Sequence, residues 1–312
     1  MEGLSVQNFL TRNNKKRKNQ FFSISNVRKS LNKLIKYKSF LSLIILLTLL
    51  TTSCSVEKKL AEGFVKTPPG ITLQVFTPDL LFKFNHKGEE IDGFDTLTDV
   101  QQDSALFVNS KYVQYVDDSI FLENYINNFI NELRTLGFVV YLDHSVDSFL
   151  QGQPQSYIVN ISQLQMDEYK FPLEDSEPFF DTVYSKAFLL DAVDVSTWFE
   201  LSKINTPNPK KTVLFSTFTV SDGFDGNFLV NGFTMDVQYR YKIDSLKLKD
   251  VYELSVYAGK KDASYLFDFF MNQYIAFHLP DGMEPAYFLH YNRFRKTFTP
   301  AEEDRFEILQ VK

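Results

Sequence analysis

The side chains able to perform acid–base or metal chemistry are scattered along this 312-residue chain. The histidines show neither the HxxxH nor the HExxH spacing that sets two imidazoles on one helix face; they are His86, His144, His278 and His290. Each of them lies near the expected end of a helix or strand, where a structural role is the commoner one. The sequence has neither a G-x-S-x-G elbow nor a glycine-rich phosphate loop. We therefore predict no catalytic residue, no metal site and no bound cofactor.

Two short segments carry residue types that suit a site, and each has a simpler interpretation. The segment SDGFDGN offers oxygen ligands from Asp222, Asp225 and Asn227, but their order differs from the D-x-D-x-D-G loop that binds calcium. We predict a turn there, because Asp, Asn and Gly are typical turn residues. Asp143 and His144 follow an expected strand, where acid–base pairs occur, but an Asp that caps the next element is the more common case.

The only cysteine, Cys54, directly follows the only long apolar run of the chain. Phe40–Leu50 is about half as long as the ~20 residues that a helix needs to cross a membrane, and ten Lys or Arg residues precede it. A basic segment, a short apolar segment and then small residues form the layout of a secretory signal. With Thr51–Ser53 before Cys54, the segment resembles a bacterial lipoprotein signal. It has Thr51 where leucine is usual, and a looser signal of this kind is similar to those of Bacteroidota lipoproteins. That resemblance implies lipidation of Cys54 as the first residue of the mature chain.

The lipoprotein resemblance implies a domain organisation and a location. We expect a signal peptide at 1–53, a tether at 54–70 and a single α+β periplasmic domain at 71–312. The expected location is the outer membrane, with a lipid-anchored chain that faces the periplasm. Display on the cell surface is the alternative, and it is disfavoured because SVEKK lacks the acidic run of Bacteroidota surface-export signals. A signal anchor, or an unlipidated signal with an incidental cysteine, is a further interpretation that stays open.

The charge of the expected mature chain excludes one class of partner. Without residues 1–53, the chain has 23 Lys and Arg residues against 38 Asp and Glu residues, so its net charge is −15. Such a surface repels phosphate backbones, which argues against nucleic-acid binding. It also disfavours adhesion to anionic lipid, which leaves the lipid anchor as the membrane contact and envelope proteins as the expected partners.

The spacing of apolar residues predicts an α+β fold, with a mixed or mostly antiparallel sheet and amphipathic helices packed on one side. The clearest helix carries an apolar stripe, is capped at its start by Asp118 or Ser119, and is capped at its end by Gly137. A second helical stretch covers 249–277, with a break at Gly259.

Most strands are expected between and after these helices. They cover 71–85 with a break near Pro78, 104–115, 138–142, 156–169, 189–202 and 212–220, and a hairpin turn is expected at Asn231-Gly232. Polar loops are expected at 86–103 and 171–181. Trp198 falls on the polar face of its strand, where it either lines a binding groove or, more commonly, covers the sheet.

The helix followed by two strands carries a second resemblance. FINELRTLGFVVY, followed by YIVNISQLQMDEY, resembles the helix–strand–strand core of auxiliary lipoproteins of ABC-type transport systems. It is also similar to the N-terminal domain of the Tol translocation protein and to the curli-secretion lipoprotein. The likeness covers about residues 105–220 and consists of pattern, so it assigns no site residue.

Three functions follow as expectations from these patterns. The first is a non-enzymatic accessory or binding subunit in envelope assembly or transport, held to the membrane by Cys54. The second is a divergent hydrolase of cell-wall or glycan substrates, which would use paired carboxylates near aromatic side chains. The third is a protein that binds an apolar ligand between sheet and helix. Five D-[S/T]-apolar motifs also match the Bacteroidota O-glycosylation signal; their acceptors are Thr96, Ser104, Ser119, Thr182 and Ser245.

Overall fold

The structure is a computed structural model that describes residues 56–67, 70–151, 155–204 and 211–310. Leu60–Lys312 forms one compact unit; of the unit before it, Met1–Lys59, residues 56–59 are described and are helical. The predicted signal peptide and Cys54 lie outside the described residues, so both stay predictions.

Helices and strands follow one another irregularly along the described chain. The helices are α1 (56–66), α2 (Asp99–Val108), α3 (Asp118–Thr135), α4 (Val146–Leu150) and α5 (Leu248–His278). The strands are β1 (Thr72–Phe76), β2 (Leu81–Asn85), β3 (Val139–Tyr141), β4 (Ser156–Phe179), β5 (Thr182–Lys203), β6 (Lys211–Ser221), β7 (Gly223–Val230), β8 (Val237–Asp244), β9 (Phe288–Asn292), β10 (Thr297–Ala301) and β11 (Glu307–Leu309). Short 3-10 turns lie at Gly88–Glu90, Phe94–Thr96, Val113–Tyr115 and Asp143–Ser145.

The main sheet has seven strands and is mixed. Its order is β11-β6-β5-β4-β1-β3, and β2 pairs with β4 beyond the end of β1. The pairs of β1 with β3 and β4, and of β2 with β4, are parallel, whereas β4, β5, β6 and β11 run antiparallel. The hairpins β7–β8 and β9–β10 form separate two-stranded sheets. The predicted α+β class with a mixed sheet and packed helices is confirmed.

One face of the main sheet is buried beneath α3 and α5. The strand predicted at 189–202 lies within β5, and its alternating residues Val193, Val195, Thr197 and Phe199 are all fully buried on this face. Phe129 of α3 stacks on Phe199 with 5.6 Å between ring centroids. Long apolar side chains from the sheet and from both helices therefore share one core.

The ends of α3 and the course of α5 both follow from individual residues. The α3 helix is capped one residue earlier than expected, because Asp117 accepts a hydrogen bond from Ile120 N at 3.1 Å. Gly137, at φ +97°, ends it as predicted, and Phe138 N donates to Leu133 O at 3.2 Å in a Schellman motif. The α5 helix is continuous through Gly259, so the predicted break is wrong. A Cβ at Gly259 would collide with the Tyr125 carbonyl of α3, so glycine lets the two helices approach closely.

The chain joins the core earlier than the predicted tether allowed. Residues 56–66 are helical, and Ala61 and Phe64 are buried. The Phe64 ring lies 5.3 Å from Phe267 and 5.4 Å from Tyr274, both on α5. Part of the segment predicted as a tether, 56–66, is therefore a helix whose apolar residues pack on α5.

Other sequence predictions differ from the structure near the surface. The strand expected at 104–115 is helix α2 with a short 3-10 turn, and Gln101 Oε1 accepts a hydrogen bond from Thr98 N at 3.0 Å to start that helix. None of the α2 side chains is buried, so its apolar residues mark no core face. The loop expected at 171–181 is a continuation of β4 and its turn, and the turn expected at 221–227 is mostly β7. Around Asn231-Gly232 the hairpin is confirmed, although its loop covers six residues, 231–236.

Candidate functional site

A long arm projects from the main sheet and is its most distinctive surface feature. Ala192 of β5 pairs on one side with Ser221, the last residue of β6, and on the other side with Tyr169 of β4. Beyond that level β4 and β5 continue alone as a hairpin to the pair Phe179–Thr182. The ten residues from Lys170 to Phe179 extend roughly 33 Å at ~3.3 Å per residue. We call this hairpin (170–190), together with the β7–β8 hairpin (223–244), the arm.

The two hairpins of the arm pack face to face through aromatic rings. Phe188 lies 4.8 Å from both Phe224 and Tyr241, and Phe228 lies 4.5 Å from Tyr239, between ring centroids. Phe179 and Tyr184 complete the layer, and Tyr239 Oη donates to Asp175 at 2.7 Å. A Cβ at Gly226 would collide with the Tyr239 hydroxyl and the Phe224 ring, so the glycine makes room for this layer. The two hairpins of the arm are therefore held together by an aromatic layer of their own.

The outer end of the arm exposes large apolar side chains. The turn between β4 and β5 exposes 71% of Phe180, and the loop between β7 and β8 exposes Phe233 fully and 58% of Met235. Phe228, three residues before that loop, contacts Phe179 at 6.2 Å, which places both turns at the same end. We call Phe180, Phe233 and Met235 the arm tip.

The base of the arm holds a buried cluster of opposite charges. Lys87 and Asp191 are at most 7% exposed, and Glu168 is fully buried. Lys87 Nζ pairs with Glu168 and lies 3.2 Å from Asp191 Oδ1. Lys111 Nζ lies 2.7 Å from Asp191 Oδ2, and Lys170 Nζ lies 2.9 Å from Oδ1. The cluster thus joins β4 and β5 to the segments that follow β2 and α2.

The carboxylate of Glu168 accepts hydrogen bonds from the backbone and also pairs with Lys87. Its Oε1 accepts from Lys111 N at 2.8 Å, and its Oε2 accepts from Tyr112 N at 2.9 Å and Val113 N at 3.0 Å. These donors lie at the start of the 3-10 turn at Val113–Tyr115, where backbone N–H groups otherwise lack partners. Glu168 is therefore a buried cap that fixes this turn on β4.

Asp222 has a similar bridging role on the other side of the cluster. This buried residue links β6 to β7, and its Oδ2 accepts from Asp191 N at 2.9 Å while its Oδ1 accepts from Leu246 N at 2.7 Å. It does not join Asp225 and Asn227 in a ligand set, because those two side chains lie exposed on β7. The predicted turn is wrong because residues 223–227 belong to β7 and pair with β8.

Asp191, Lys111 and Lys170 of this cluster keep their charges at neutral pH. Burial raises the pKa of Asp191, but hydrogen bonds from Lys111 and Lys170 and the charge of Lys87 outweigh burial and hold that pKa well below its usual range. The hydrogen bond to Asp191 raises the pKa of Lys111. Groups with pKa values so far apart hold their charges rather than exchange protons near neutrality. The cluster stabilises the arm base.

A separate carboxyl group lies deep in the core beneath α3. Asp262 of α5 is fully buried, and its oxygens accept from Tyr125 Oη and Ser216 Oγ, each at 2.6 Å. Burial raises the pKa of Asp262 to about 7, and the hydrogen bonds from Ser216 and Tyr125 oppose that rise. The group has no access to solvent, so it affects stability rather than binding.

Two cavities lie along the C-terminal half of α5, and Gln273 lines both of them. One of about 460 Å³ is lined by three carboxylates, Glu284, Glu302 and Asp304, beside the rings of Tyr287 and Phe288. Burial raises the pKa of Asp304. Another, of about 490 Å³, lies between the sheet and the helices and is lined mainly by aromatic and polar residues, among them Phe64, Tyr157, Tyr274, Phe277, Lys203 and His278.

The histidines with described side chains each have a local partner. His86 Nε2 lies 2.8 Å from Asp167 Oδ1 on the open face of the sheet. His278 Nδ1 lies 2.8 Å from the Tyr274 carbonyl. His290 of β9 is buried, with Nδ1 3.5 Å from an Asp268 carboxylate oxygen; Asp268 also accepts from Tyr291 N at 2.9 Å. These contacts hold local elements in place.

The remaining sequence candidates lie apart from one another. Asp143 is exposed in the 3-10 turn after β3, and the side chain of His144 lies outside the described residues, so an acid–base pair there stays a prediction. Trp198 is half-buried against Phe215 on the neighbouring strand, with 4.8 Å between ring centroids. The acceptor residues of the O-glycosylation motifs, Thr96, Ser104, Ser119, Thr182 and Ser245, are all exposed.

Over 56–67, 70–151, 155–204 and 211–310, no group of three or more His, Cys, Asp or Glu side chains is arranged to hold a metal ion. In those same segments, no helix has the length and apolar character needed to span a membrane. No known protein family and no curated protein matches this chain.

Sequence reasoning missed the arm tip, although a signal for it exists. The β4–β5 turn reads EPFFDT and the β7–β8 loop reads NGFTMD. Turns favour Gly, Asn, Asp, Pro and Ser, so bulky apolar residues at their centre indicate that the exposed positions have another use.

Proposed function

We propose that this protein is a lipid-anchored outer-membrane lipoprotein facing the periplasm, and that it acts as a non-enzymatic binding subunit in envelope assembly or transport. The lipobox-like sequence around Cys54 supports the anchor and the location. The arm supports the binding role, and it is the observation that carries the proposal.

The arm adds nothing to the main core, since its ring layer packs only on itself. Both strands of the β4–β5 hairpin nevertheless continue about ten residues past their last body partner. A buried charge cluster fixes the base of this extension, and the outer end exposes apolar side chains. A rigid projection with an apolar end is suited to contact with another macromolecule.

An experiment in cells tests the anchor and the binding role together. Metabolic fatty-acid labelling should mark the wild-type protein in the outer-membrane fraction, and Cys54→Ala should lose the label. Lysine-directed crosslinking of the wild type should recover the same envelope protein in repeated preparations. Equal labelling of both proteins would refute the lipid anchor, and recovery of no envelope protein would refute the binding role.

The acidic cavity supports one other candidate, a carboxylate-dependent hydrolase of cell-wall or glycan substrates. It combines Glu302 and Asp304 with the ring of Tyr287, and glycoside hydrolysis uses a pair of carboxyl groups. Peptidoglycan and glycan release assays decide between the candidates. Release by the wild type that falls at least 100-fold in Glu302→Gln and Asp304→Asn, but not in the exposed neighbour control Glu303→Gln, would replace the binding role.

A further inference from the structure

The arm tip is an apolar patch that the fold itself does not need. Phe180, Phe233 and Met235 expose 71%, 101% and 58% of their surface. Single exposed apolar residues are common on proteins, but these three come from two separate turns that lie at the same end of the arm. Neither turn requires a large side chain for its conformation.

Two of these three residues also have an unfavourable backbone. Phe180 has φ +56° and Met235 has φ +61°, a region that suits Gly or Asn and that bulky residues rarely adopt. Phe180 is the first residue of a two-residue hairpin turn, a position where glycine is favoured at positive φ. The sequence therefore keeps large apolar side chains at two positions where folding alone favours small ones.

The charge around the tip is of one sign. The segments 177–183 and 230–238 contain the carboxylates Glu177, Asp181 and Asp236 and no Lys or Arg. All three carboxylates are exposed. An apolar patch bordered by negative charge is complementary to an apolar pocket bordered by positive charge, and it is repelled by an anionic lipid surface.

We infer that the arm tip docks into an apolar pocket of a protein partner, with the rim of that pocket carrying Lys or Arg side chains. The inference rests on the proposed binding function and gives that function its contact surface. Phe233 is the main anchor because it is fully exposed, and Phe180 and Met235 add apolar surface to the contact. The three carboxylates orient the tip toward the basic rim. The arm length of roughly 33 Å holds this contact away from the body of the protein.

The test uses the full chain in cells, with a photo-crosslinking phenylalanine analogue at position 233. Phe294, which is 87% exposed in the β9–β10 turn, is the matched control position. We expect position 233, but not 294, to crosslink to one envelope protein, with the adduct mapped to an apolar segment near Lys or Arg residues. Adding Phe180→Asp and Met235→Asp should lower the adduct at least tenfold. Reversing the charge beside the arm tip with Asp181→Lys and Asp236→Lys should lower the amount of adduct by a similar factor.

Several outcomes would overturn this assignment. They are equal adducts from 233 and 294, an adduct with a second copy of the chain, an adduct with lipid, and no adduct at 233. Flotation of the Cys54→Ala protein with phosphatidylcholine vesicles, abolished by Phe233→Asp, would assign the tip to a membrane instead. Circular dichroism and thermal unfolding of each variant should match the wild type, since the altered side chains are exposed.

Failure of the tip and failure of the binding role give different results. The lysine-directed complex could persist unchanged in a variant that combines Phe180→Asp, Phe233→Asp and Met235→Asp. In that case the binding role stands and the tip is refuted. If the wild type forms no such complex, the binding role itself is refuted.

Discussion

The buried carboxyl group of Asp262 should make the stability of this protein depend on pH. Its usual pKa is 3.8, and burial raises it to about 7 in the folded chain. Because the folded state holds the proton more tightly, its contribution to stability is complete below about pH 4 and is lost as the pH rises to about 7. At ~1.36 kcal/mol per pH unit, the loss is about 4 kcal/mol. The free energy of unfolding should level off above that pH.

Removing the charge separates this effect from every other titration. Asp262→Asn keeps the shape of the side chain, with its amide oxygen accepting from one of the Tyr125 and Ser216 hydroxyls and its amide group donating to the other, but it cannot ionise. The variant should match the wild type near pH 4 and exceed its free energy of unfolding by about 4 kcal/mol at pH 8.

Urea unfolding, followed by circular dichroism at several pH values, measures the difference between the two proteins. Asp281→Asn, at an exposed position, is the control and should follow the wild type throughout. A wild type and an Asp262→Asn variant that lose stability in parallel as pH rises would refute a protonated Asp262 in the folded state. The same result would refute the argument that burial dominates its hydrogen bonds.

Three further substitutions test the contacts that shape the core and the arm base, each by urea unfolding. Gly259→Ala should lower the free energy of unfolding by about 1–3 kcal/mol, because its Cβ would collide with the Tyr125 carbonyl and push the helices apart. Glu168→Gln should cost about 3–5 kcal/mol, because it removes the charge that pairs with the buried Lys87. Asp222→Asn should cost about 1–3 kcal/mol, because one amide oxygen cannot accept from both backbone N–H groups that the carboxylate binds.

Each of these substitutions has a matched control on the same chain. Gly63→Ala lies in helix α1 with open space around it, so it should be neutral or stabilise by about 0.4–1 kcal/mol. Glu174→Gln and Asp225→Asn change exposed carboxylates of the arm and should stay within about 0.5 kcal/mol of the wild type. A destabilisation by Gly259→Ala no larger than that of Gly63→Ala would contradict the close approach of the helices. Equal effects of Glu168→Gln and Glu174→Gln would contradict the buried cap.

The parts of the fold predicted from the sequence are those where periodicity records burial. The stripe of α3 and the alternation of β5 both face the core, so their apolar residues repeat at the helical and strand periods. The end of α3 was predictable too, since Gly137 adopts a positive φ that other residues avoid. The break predicted at Gly259 is wrong, because this glycine allows contact with helix α3 and does not interrupt its own helix.

The arm was hidden because its strands are stabilised outside the main core. Residues 171–181 carry two prolines and several acids, which in sequence resemble a loop. Pro172 and Pro178 fall in a part of β4 that, among the described strands, pairs with β5 alone and so lies at a sheet edge, where proline is tolerated. The pairing is held instead by rings that belong to β7 and β8, more than 30 positions later in the chain. No local pattern contains that information.

The roles of the charged residues at the arm base could not be predicted from the sequence either, because each role depends on burial and on the groups that contact the side chain in the fold. Asp191, Asp222 and Glu168 look in the sequence like any other acid, and the chain has many. In the fold their carboxylate oxygens accept hydrogen bonds from lysines or from backbone N–H groups. The carboxylates beside the arm tip have the same chemistry but remain in solvent. Burial therefore separates acids that hold the arm in place from acids that are free to recognise a basic partner, and only the second group is expected to make binding depend on salt.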